Sequence, residues 1–247
     1  MAQIHVAMHA DFQGSESMEK QQRMGLAAGL SLIVCTYKRP DSLLSLLASV
    51  RKQKTMPHEV IIVDGSPQPQ QMPVDWPEGS HLNYYQVPPE QRGLTKQRNF
   101  GLNCLSKHCQ YVAFLDDDVV LEPNYFSALL KGFDAPEVKG VAGYILNDCT
   151  WQKGEQNGRG IFSYDGYSRK EGMRYQLRKF FACYPTVPPA RFPDFGHGHP
   201  QSFLPPTGKQ YPADYLMGGL ACYRKEIFDQ LKFSTFFEGY GLYEDMD

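Results

Sequence analysis

The sequence lacks the features that mark several large classes of protein. No apolar run approaches the ~20 residues that a membrane-spanning helix needs. The six cysteines include no Cys-x-x-Cys pair. Lysine and arginine are dispersed and the formal net charge is −2, so no basic stripe is available for a nucleic-acid backbone. We therefore expect no nucleic-acid partner and a reducing, cytoplasmic setting, with peripheral membrane contact left open.

The chain does contain enough apolar material for a large α/β domain. It has 247 residues, of which 42% are hydrophobic, and a chain of this size can bury a full core. Charged residues interrupt the first 29 residues, so these lack the apolar core of a secretory signal. We interpret residues 1–29 as a leader, ordered or disordered, and 30–247 as the folded domain.

From Leu30 onward, short β-rich runs alternate with helix-like stretches. This alternation is typical of a mostly parallel sheet covered by helices. Two of the predicted strands, VIIVD and YVAFLD, end in an acid, and ligands of open α/β sheets bind at the carboxyl edge of the strands. We therefore expect Thr36, Tyr37, Asp64 and the acids after YVAFLD to converge there.

A long middle stretch, from about Tyr144 to Tyr211, is rich in glycine, proline and aromatic residues. It shows no regular period, and we interpret it as an irregular insertion. His197 and His199 lie there without a nearby cysteine or acid pair, so we interpret them as loop residues rather than zinc ligands. Regular patterning resumes at DYLMGGLACYRKEIFDQL as a strand, a glycine pair and the start of a helix.

Three consecutive carboxylates, Asp116, Asp117 and Asp118, follow the predicted strand YVAFLD. They repel one another, and burial raises the cost unless a cation or protons offset the charge. Mg²⁺ or Mn²⁺ takes one or two protein carboxylates and completes its shell with water and substrate phosphates. In strand geometry Asp116 and Asp118 point to one side and Asp117 to the other. A solvated acidic turn is the alternative, and the triplet alone does not decide.

Basic residues open the helix predicted at GLTKQRNFGLNCLSKH. Arg92, Lys96 and Arg98 lie in or just before its first turn, where free backbone N–H groups favour anions. The segment therefore suits a diphosphate, with ordinary surface residues as the alternative.

Polar residues at two other strand ends suit a nucleotide base and its ribose. Asp64 either caps its turn or accepts a hydrogen bond from a base N–H. Thr36, Tyr37 and Arg39 are expected beside it. Near the end of the sequence, Asp245 is a candidate general base for a hydroxyl nucleophile, with an acidic tail as the alternative.

Six segments in this order resemble those of glycosyltransferase family 2, the inverting enzymes of the GT-A fold. They are LIVCTYKRP, EVIIVDGS, RGLTKQRNFGL, YVAFLDDDV, MGGLACYRKEIF and FFEGYGLYEDMD. The resemblance covers about residues 30–145 and 213–247. It implies one GT-A domain with a nucleotide-binding half at about 30–143 and an insertion and acceptor half at about 144–247. We expect that domain to continue beyond the last residue.

The resemblance also implies a nucleotide-diphosphate-sugar donor, a Mn²⁺ or Mg²⁺ ion and roles for individual residues. Thr36, Tyr37 and Asp64 line the base pocket, Arg98 faces the diphosphate, Asp118 holds the metal, and Asp116 or Asp117 contacts the ribose or shares the ion. Asp245 takes the position of the acid that deprotonates the acceptor.

The implied reaction is a single displacement at the anomeric carbon by a metal-dependent, hexosyl-type transferase. The metal and Arg98 stabilise the departing diphosphate while Asp245 receives the acceptor's proton. The acceptor is a saccharide, a lipid-linked compound or another hydroxyl compound. Two alternatives stay open: a catalytically silent GT-A domain that binds nucleotide or a protein partner, and a nucleotidyltransferase. TYKRPDS lacks the glycine-rich loop expected of the latter.

Overall fold

The fold is a mixed α/β arrangement built on a six-stranded sheet. The computed structural model describes residues 4–6, 25–72, 75–147, 150–194 and 198–236. Its strands are β1 (Ile4–Val6), β2 (Gly25–Thr36), β3 (Thr55–Asp64), β4 (His81–Gln86), β5 (Tyr111–Asp116), β6 (Val119–Leu121), β7 (Gly140–Ala142), β8 (Gln152–Lys153), β9 (Ile161–Tyr164), β10 (Tyr167–Lys170) and β11 (Leu220–Arg224). Its α-helices are α1 (Pro40–Arg51), α2 (Leu94–Asn103), α3 (Tyr125–Lys131) and α4 (Met173–Phe180), and 3₁₀ turns span Pro89–Gln91, Gln201–Phe203 and Lys225–Asp229.

The central sheet confirms the predicted mostly parallel topology. Its order is β4-β3-β2-β5-β11-β7. The pairs β3–β4, β2–β3 and β2–β5 are parallel, whereas β11 runs antiparallel to both β5 and β7. The chain moves outward from β2 to β4 and then returns to place β5 on the other side of β2. The strand order therefore reverses between β2 and β5, which is where α/β sheets open a ligand crevice.

Helices cover both faces of this sheet. Alternate residues of β2 point to opposite sides, so Leu32 and Val34 join one buried cluster and Ile33 joins the other. The first cluster includes α1 and α3, and the second includes Leu102 of α2. The predicted apolar stripe of α1 is confirmed, because Leu43, Leu46, Leu47 and Val50 are all buried.

The ordered chain begins earlier than the sequence indicates. Strand β2 starts at Gly25, and Gly25, Leu26 and Ala27 pair with Thr55, Met56 and Pro57 of β3. Ile4–Val6 pairs with β6. Both segments fall in the stretch interpreted as a leader. The small residues GLAAG carry no hydrophobic period, so their pairing is not visible in the sequence.

The insertion is irregular over most of its length, as predicted, but it also contains regular elements that the sequence did not indicate. Strands β8, β10 and β9 form a separate small sheet, and α4 follows it. His199 lies outside regular structure, yet its ring is buried and stacks on Tyr175 with centroids 4.7 Å apart. His197 lies outside the described residues.

Within the described part of the chain, no helix is long and apolar enough to cross a bilayer.

Gly101 allows α2 to lie directly on β2, and this contact yields a stability prediction. A Cβ atom on Gly101 would stand 2.7 Å from Cγ2 of Ile33, whose side chain is buried. Gly101→Val should therefore lower the free energy of unfolding by about 2–3 kcal/mol through overpacking. Urea denaturation measures the change. Gly172→Val is the control, because nothing lies within 4 Å of its Cβ position; equal losses in both variants would contradict the prediction.

Candidate active site

The carboxyl ends of β2, β3 and β5 bring predicted site residues to one edge of the sheet. Thr36 pairs in register with Asp64, and Cys35 pairs with Asp116. The convergence that we expected from the order of the strands is therefore present. It lies at the reversal of strand order between β2 and β5.

Asp117 is the buried centre of this edge. Oγ1 of Thr36 donates a hydrogen bond of 2.7 Å to its Oδ2, and Nη1 of Arg39 lies 3.2 Å from its Oδ1. The same Nη1 lies 3.1 Å from Oδ2 of Asp118. Burial raises the pKa of Asp117, while Thr36 and Arg39 oppose that rise. Arg39, just before α1, thus bridges two of the three acids.

Only the first acid of the triplet lies in the strand for which the sequence indicated alternation. Strand β5 ends at Asp116, and Asp117 and Asp118 lie in the turn before β6. The Asp117 side chain is only 7% exposed, against 50% for Asp116 and 36% for Asp118. Asp117 and Asp118 share Arg39 as a partner, and Asp116 lies 3.9 Å from Arg98. The turn replaces the strand geometry on which the alternation was based, yet Asp117 is still the buried acid and the two outer acids are the more exposed ones.

Arg98 faces the sheet and approaches Asp116. Its side chain is 3% exposed, and Nη2 lies 3.9 Å from Oδ1 of Asp116. Its guanidinium lies 5.7 Å from the ring centre of Phe114 and 5.2 Å from that of Phe233, which are cation–π distances. The residue is therefore positioned by packing inside the site rather than in an exposed first turn of α2.

Gly219 lies directly beneath the Asp116 carboxylate. The Asp116 N–H donates a 3.1 Å hydrogen bond to the Gly219 carbonyl. A Cβ atom on Gly219 would fall 2.1 Å from Oδ2 of Asp116, so any other residue would displace that carboxylate. The glycine pair in the sequence is the signal for this contact, but it does not reveal the partner.

Asp64 is fully buried, and protein groups contact both of its side-chain oxygens. The Ser66 N–H donates to Oδ1 at 2.7 Å, and the Tyr84 hydroxyl donates to Oδ2 at 2.6 Å. Burial and this hydrogen bond raise the pKa of Tyr84 to about 12. Asp64 therefore caps its turn, while its contact with a nucleotide base stays a prediction. Tyr84, in β4, was missed because nothing in the sequence links it to Asp64.

Gln97 fixes the start of α2 to the ends of two strands. Its Nε2 donates to the backbone carbonyls of Thr36, at 3.1 Å, and Val63, at 2.7 Å, and its Oε1 accepts from the Gly93 N–H at 3.3 Å. Gly93 has φ of 117°, a conformation that favours glycine. Sequence reasoning missed Gln97 because a buried amide leaves no periodic signal.

Tyr37 and Arg92 approach Gly65 at the rim of the same edge. A Cβ atom on Gly65 would lie 3.4 Å from Cδ2 of Tyr37 and 3.3 Å from Cγ of Arg92. The Tyr37 residue is 47% exposed, so its ring is accessible. Nε of Arg92 is buried and has no hydrogen-bond partner. This rim therefore has an exposed aromatic ring and a guanidinium with an unused donor.

The edge carries more negative than positive charge, and its acids suit a hard cation. Three carboxylates, from Asp116 to Asp118, meet the guanidiniums of Arg39 and Arg98. No group of three or more His, Cys, Asp or Glu in the described ranges forms a metal cage. Mg²⁺ and Mn²⁺ do not need one, because one or two carboxylates and substrate phosphates suffice. The two half-exposed acids fit that donor set. Asp245 lies outside the described residues.

A cavity of about 860 Å³ lies between β7 and the insertion. Its lining includes Tyr144, Gln201, Tyr211, Tyr215 and Gly218. Gly218 is next to the glycine that contacts Asp116, so the cavity adjoins the acidic edge. Aromatic side chains of this kind suit the apolar face of a sugar ring.

The chain matches the model of a protein family. The family model described as Glycosyl transferase family 2 matches residues 31–231. No curated protein is similar enough to this chain to count as a relative.

Several solved structures are similar to most of this chain. S. aureus TarS 1–349 is 16% identical with a TM-score of 0.48, and the match covers 87% of this chain and 52% of that one. GalNAc-T7 with UDP, GalNAc and Mn²⁺ is 15% identical with a TM-score of 0.48, covering 88% and 39%. Mannosyltransferase PcManGT from Pyrobaculum calidifontis, in complex with GDP-Man and Mn²⁺, is 14% identical with a TM-score of 0.37, covering 70% and 52%. The chain spans about half the length of the first of these.

The hydrogen bond between Thr36 and Asp117 predicts a pH-dependent stability effect. Thr36→Val should lower the free energy of unfolding by about 1–3 kcal/mol at neutral pH, because it leaves a buried carboxylate short of a donor. The bond favours the ionised carboxylate, so the loss should shrink as pH falls through the Asp117 pKa, which lies above its ordinary 3.8. Urea titrations across this pH range measure it.

Ser49→Ala is the matched control for this experiment. Ser49 is also buried, but its hydroxyl donates to the backbone carbonyl of Leu46 at 2.7 Å. Its loss of stability should not change with pH in that window. The same pH profile for both variants would show that Asp117 is not the group through which Thr36 acts.

Proposed function

Because this chain belongs to glycosyl transferase family 2, we propose that it is an inverting transferase of a nucleotide-diphosphate sugar. The sugar moves to an acceptor hydroxyl, and a divalent cation assists. The observation that most supports this proposal is the pairing of half-exposed Asp116 with Arg98, and of Asp118 with Arg39, at the reversal of strand order. A hard cation and a diphosphate both find complementary charge there.

The nucleotide would lie along the ends of β2 and β3. Tyr37 presents an exposed ring that can stack on a base. Asp64 would accept a hydrogen bond from a base N–H. For this to happen, the Tyr84 hydroxyl, which lies 2.6 Å from Oδ2 of Asp64, would have to share that oxygen or move away from it. The unused Nε donor of Arg92 and the guanidinium of Arg98 would face the diphosphate. Thr36 would act through Asp117, which it holds in place.

Asp116 and Asp118 would hold the cation, with diphosphate oxygens completing its shell. When bound, the ion would offset the negative charge that grows on the departing diphosphate. Arg39 contacts Asp118 at 3.1 Å and its side chain is 38% exposed, so it can turn from Asp118 toward a phosphate or the ribose. Asp117 is held from two sides, so we assign it a positioning role.

The displacement itself would involve the acceptor and Asp245. The bond between the anomeric carbon and the diphosphate oxygen breaks, and a bond from the acceptor oxygen forms on the opposite side. Asp245 would receive the hydroxyl proton. The acceptor would bind in the cavity beside Gly218, next to Asp116, and approach the anomeric carbon from there.

Release of nucleoside diphosphate tests the proposal directly. The protein is incubated with Mn²⁺, a panel of nucleotide sugars and simple saccharide acceptors, and the anomeric configuration of any product is determined by NMR. Transfer with inversion supports the proposal. A product with retained configuration would overturn the inverting mechanism. Nucleotide binding without release from any donor would favour a silent binding domain.

Two carboxylates should separate binding from turnover. Asp118→Asn should lower Mn²⁺-dependent affinity for a nucleoside diphosphate by about ten-fold, because a metal ligand is lost. Asp245→Asn should leave that affinity unchanged and lower turnover by about 10²-fold or more, as expected for a general base. Calorimetry with and without Mn²⁺, together with initial rates, measures both.

Asp75→Asn is the control for these two variants. Asp75 is 79% exposed and pairs with Arg51 on the surface, so its substitution should change neither quantity. Unchanged metal dependence in Asp118→Asn would show that the metal assignment is wrong.

Gly219 should act on the cation through Asp116. Gly219→Ala should weaken Mn²⁺-dependent nucleotide binding by about ten-fold, because the new methyl group displaces a metal-binding carboxylate. Stability should change little, since Asp116 is half-exposed and can move. In an Asp116→Ala background the methyl group has room, and Gly219→Ala should have no further effect. Additive losses in this double-mutant cycle would contradict the link between the two residues.

A further inference from the structure

Helix α4 in the insertion presents its apolar side to solvent. Met173, Leu177 and Phe180 are 76%, 53% and 81% exposed, and Phe181, directly after the helix, is 67% exposed. Their spacing of i, i+4, i+7 and i+8 places them on one stripe of the helix. We call these four residues the α4 stripe. No residue of α4 is buried.

The opposite side of α4 attaches the helix to the insertion. Tyr175, two residues from both Met173 and Leu177, points inward. Its ring lies 4.7 Å from His199 and 5.0 Å from Phe203, centre to centre. An ordinary surface helix turns its apolar stripe to the core and its charges to water. Here Tyr175 anchors the opposite side of α4 to the insertion, so the packing leaves the apolar stripe facing solvent.

The charges around the stripe are positive. Lys170, Arg174, Arg178 and Lys179 are the basic residues of this segment. Between residues 170 and 184 the one acid is Glu171, whose side chain is fully buried and lies 3.5 Å from Lys179. The solvent-facing charge of the segment is therefore entirely basic, although the whole chain has a net charge of −2.

We propose that the α4 stripe docks on an anionic lipid surface. An apolar stripe beside lysine and arginine is the pattern of helices that lie in the membrane interface, with the apolar residues in the acyl boundary and the cations at lipid phosphates. A second copy of the chain is a poorer occupant, because a symmetric contact places the same patch against itself and brings like charges together. This inference does not depend on the proposed transferase activity.

Binding to lipid vesicles tests the proposal without any activity measurement. The full chain is sedimented with vesicles of phosphatidylcholine alone and of phosphatidylcholine with phosphatidylglycerol. The wild type should bind the anionic vesicles, and Leu177→Gln/Phe180→Gln should weaken that binding by about ten-fold or more. Arg174→Gln should weaken it by a few-fold, with the difference shrinking at high salt.

Leu44→Gln is the matched control, because Leu44 is 40% exposed on α1, outside the insertion. It should bind the anionic vesicles as the wild type does. The altered side chains are exposed, so all variants should retain the wild-type unfolding midpoint. Three results would overturn the proposal: no wild-type binding to anionic vesicles, equal binding by the double variant, or equal wild-type binding to both vesicle types. A dimer in sedimentation velocity that the double variant converts to monomer would assign the stripe to self-association instead.

Discussion

The buried Asp117 carboxylate is the constraint on which the rest of the acidic edge depends. A carboxylate that is 7% exposed is costly unless donors surround it, and its donors come from Thr36 at the end of β2 and Arg39 just before α1. These contacts join the ends of β2 and β5 across the reversal of strand order. They fix the turn after β5, and with it the positions from which Asp116 and Asp118 reach solvent.

Each of the two outer acids of the triplet lies beside an arginine side chain. Asp118 lies 3.1 Å from Arg39, and Asp116 lies 3.9 Å from Arg98. Without a cation, these guanidiniums limit the repulsion within the triplet. A divalent ion would take over that role at Asp116 and Asp118, and the released arginines would then face phosphate oxygens. In the proposed function, the same charges would stabilise the free protein and prepare it for an anionic ligand, with Asp117 keeping the turn in place.

Local patterns in the sequence predicted what depends on neighbouring residues, and they did not predict contacts between distant ones. The stripe of α1 and the edge where the strands end follow from hydrophobic period and topology. The pairing of Asp64 with Tyr84 and of Asp116 with Gly219 joins residues about 20 and 100 positions apart, and no period reports it. The triplet was expected to lie in a strand, but Asp117 and Asp118 form a turn, in which the two outer acids are still more exposed than Asp117.

The insertion shows why an amphipathic pattern alone cannot orient a helix. The sequence of α4 has an apolar side and an opposite side that carries Tyr175, and a hydrophobic period identifies both sides equally well. The contact of Tyr175 with the buried His199 ring decides which one faces inward. His199 in turn lies 3.3 Å from Glu171, which also accepts the Tyr184 hydroxyl. Burial lowers the pKa of His199 and Glu171 opposes that fall. The small polar and aromatic core around His199 is therefore what turns the α4 stripe outward.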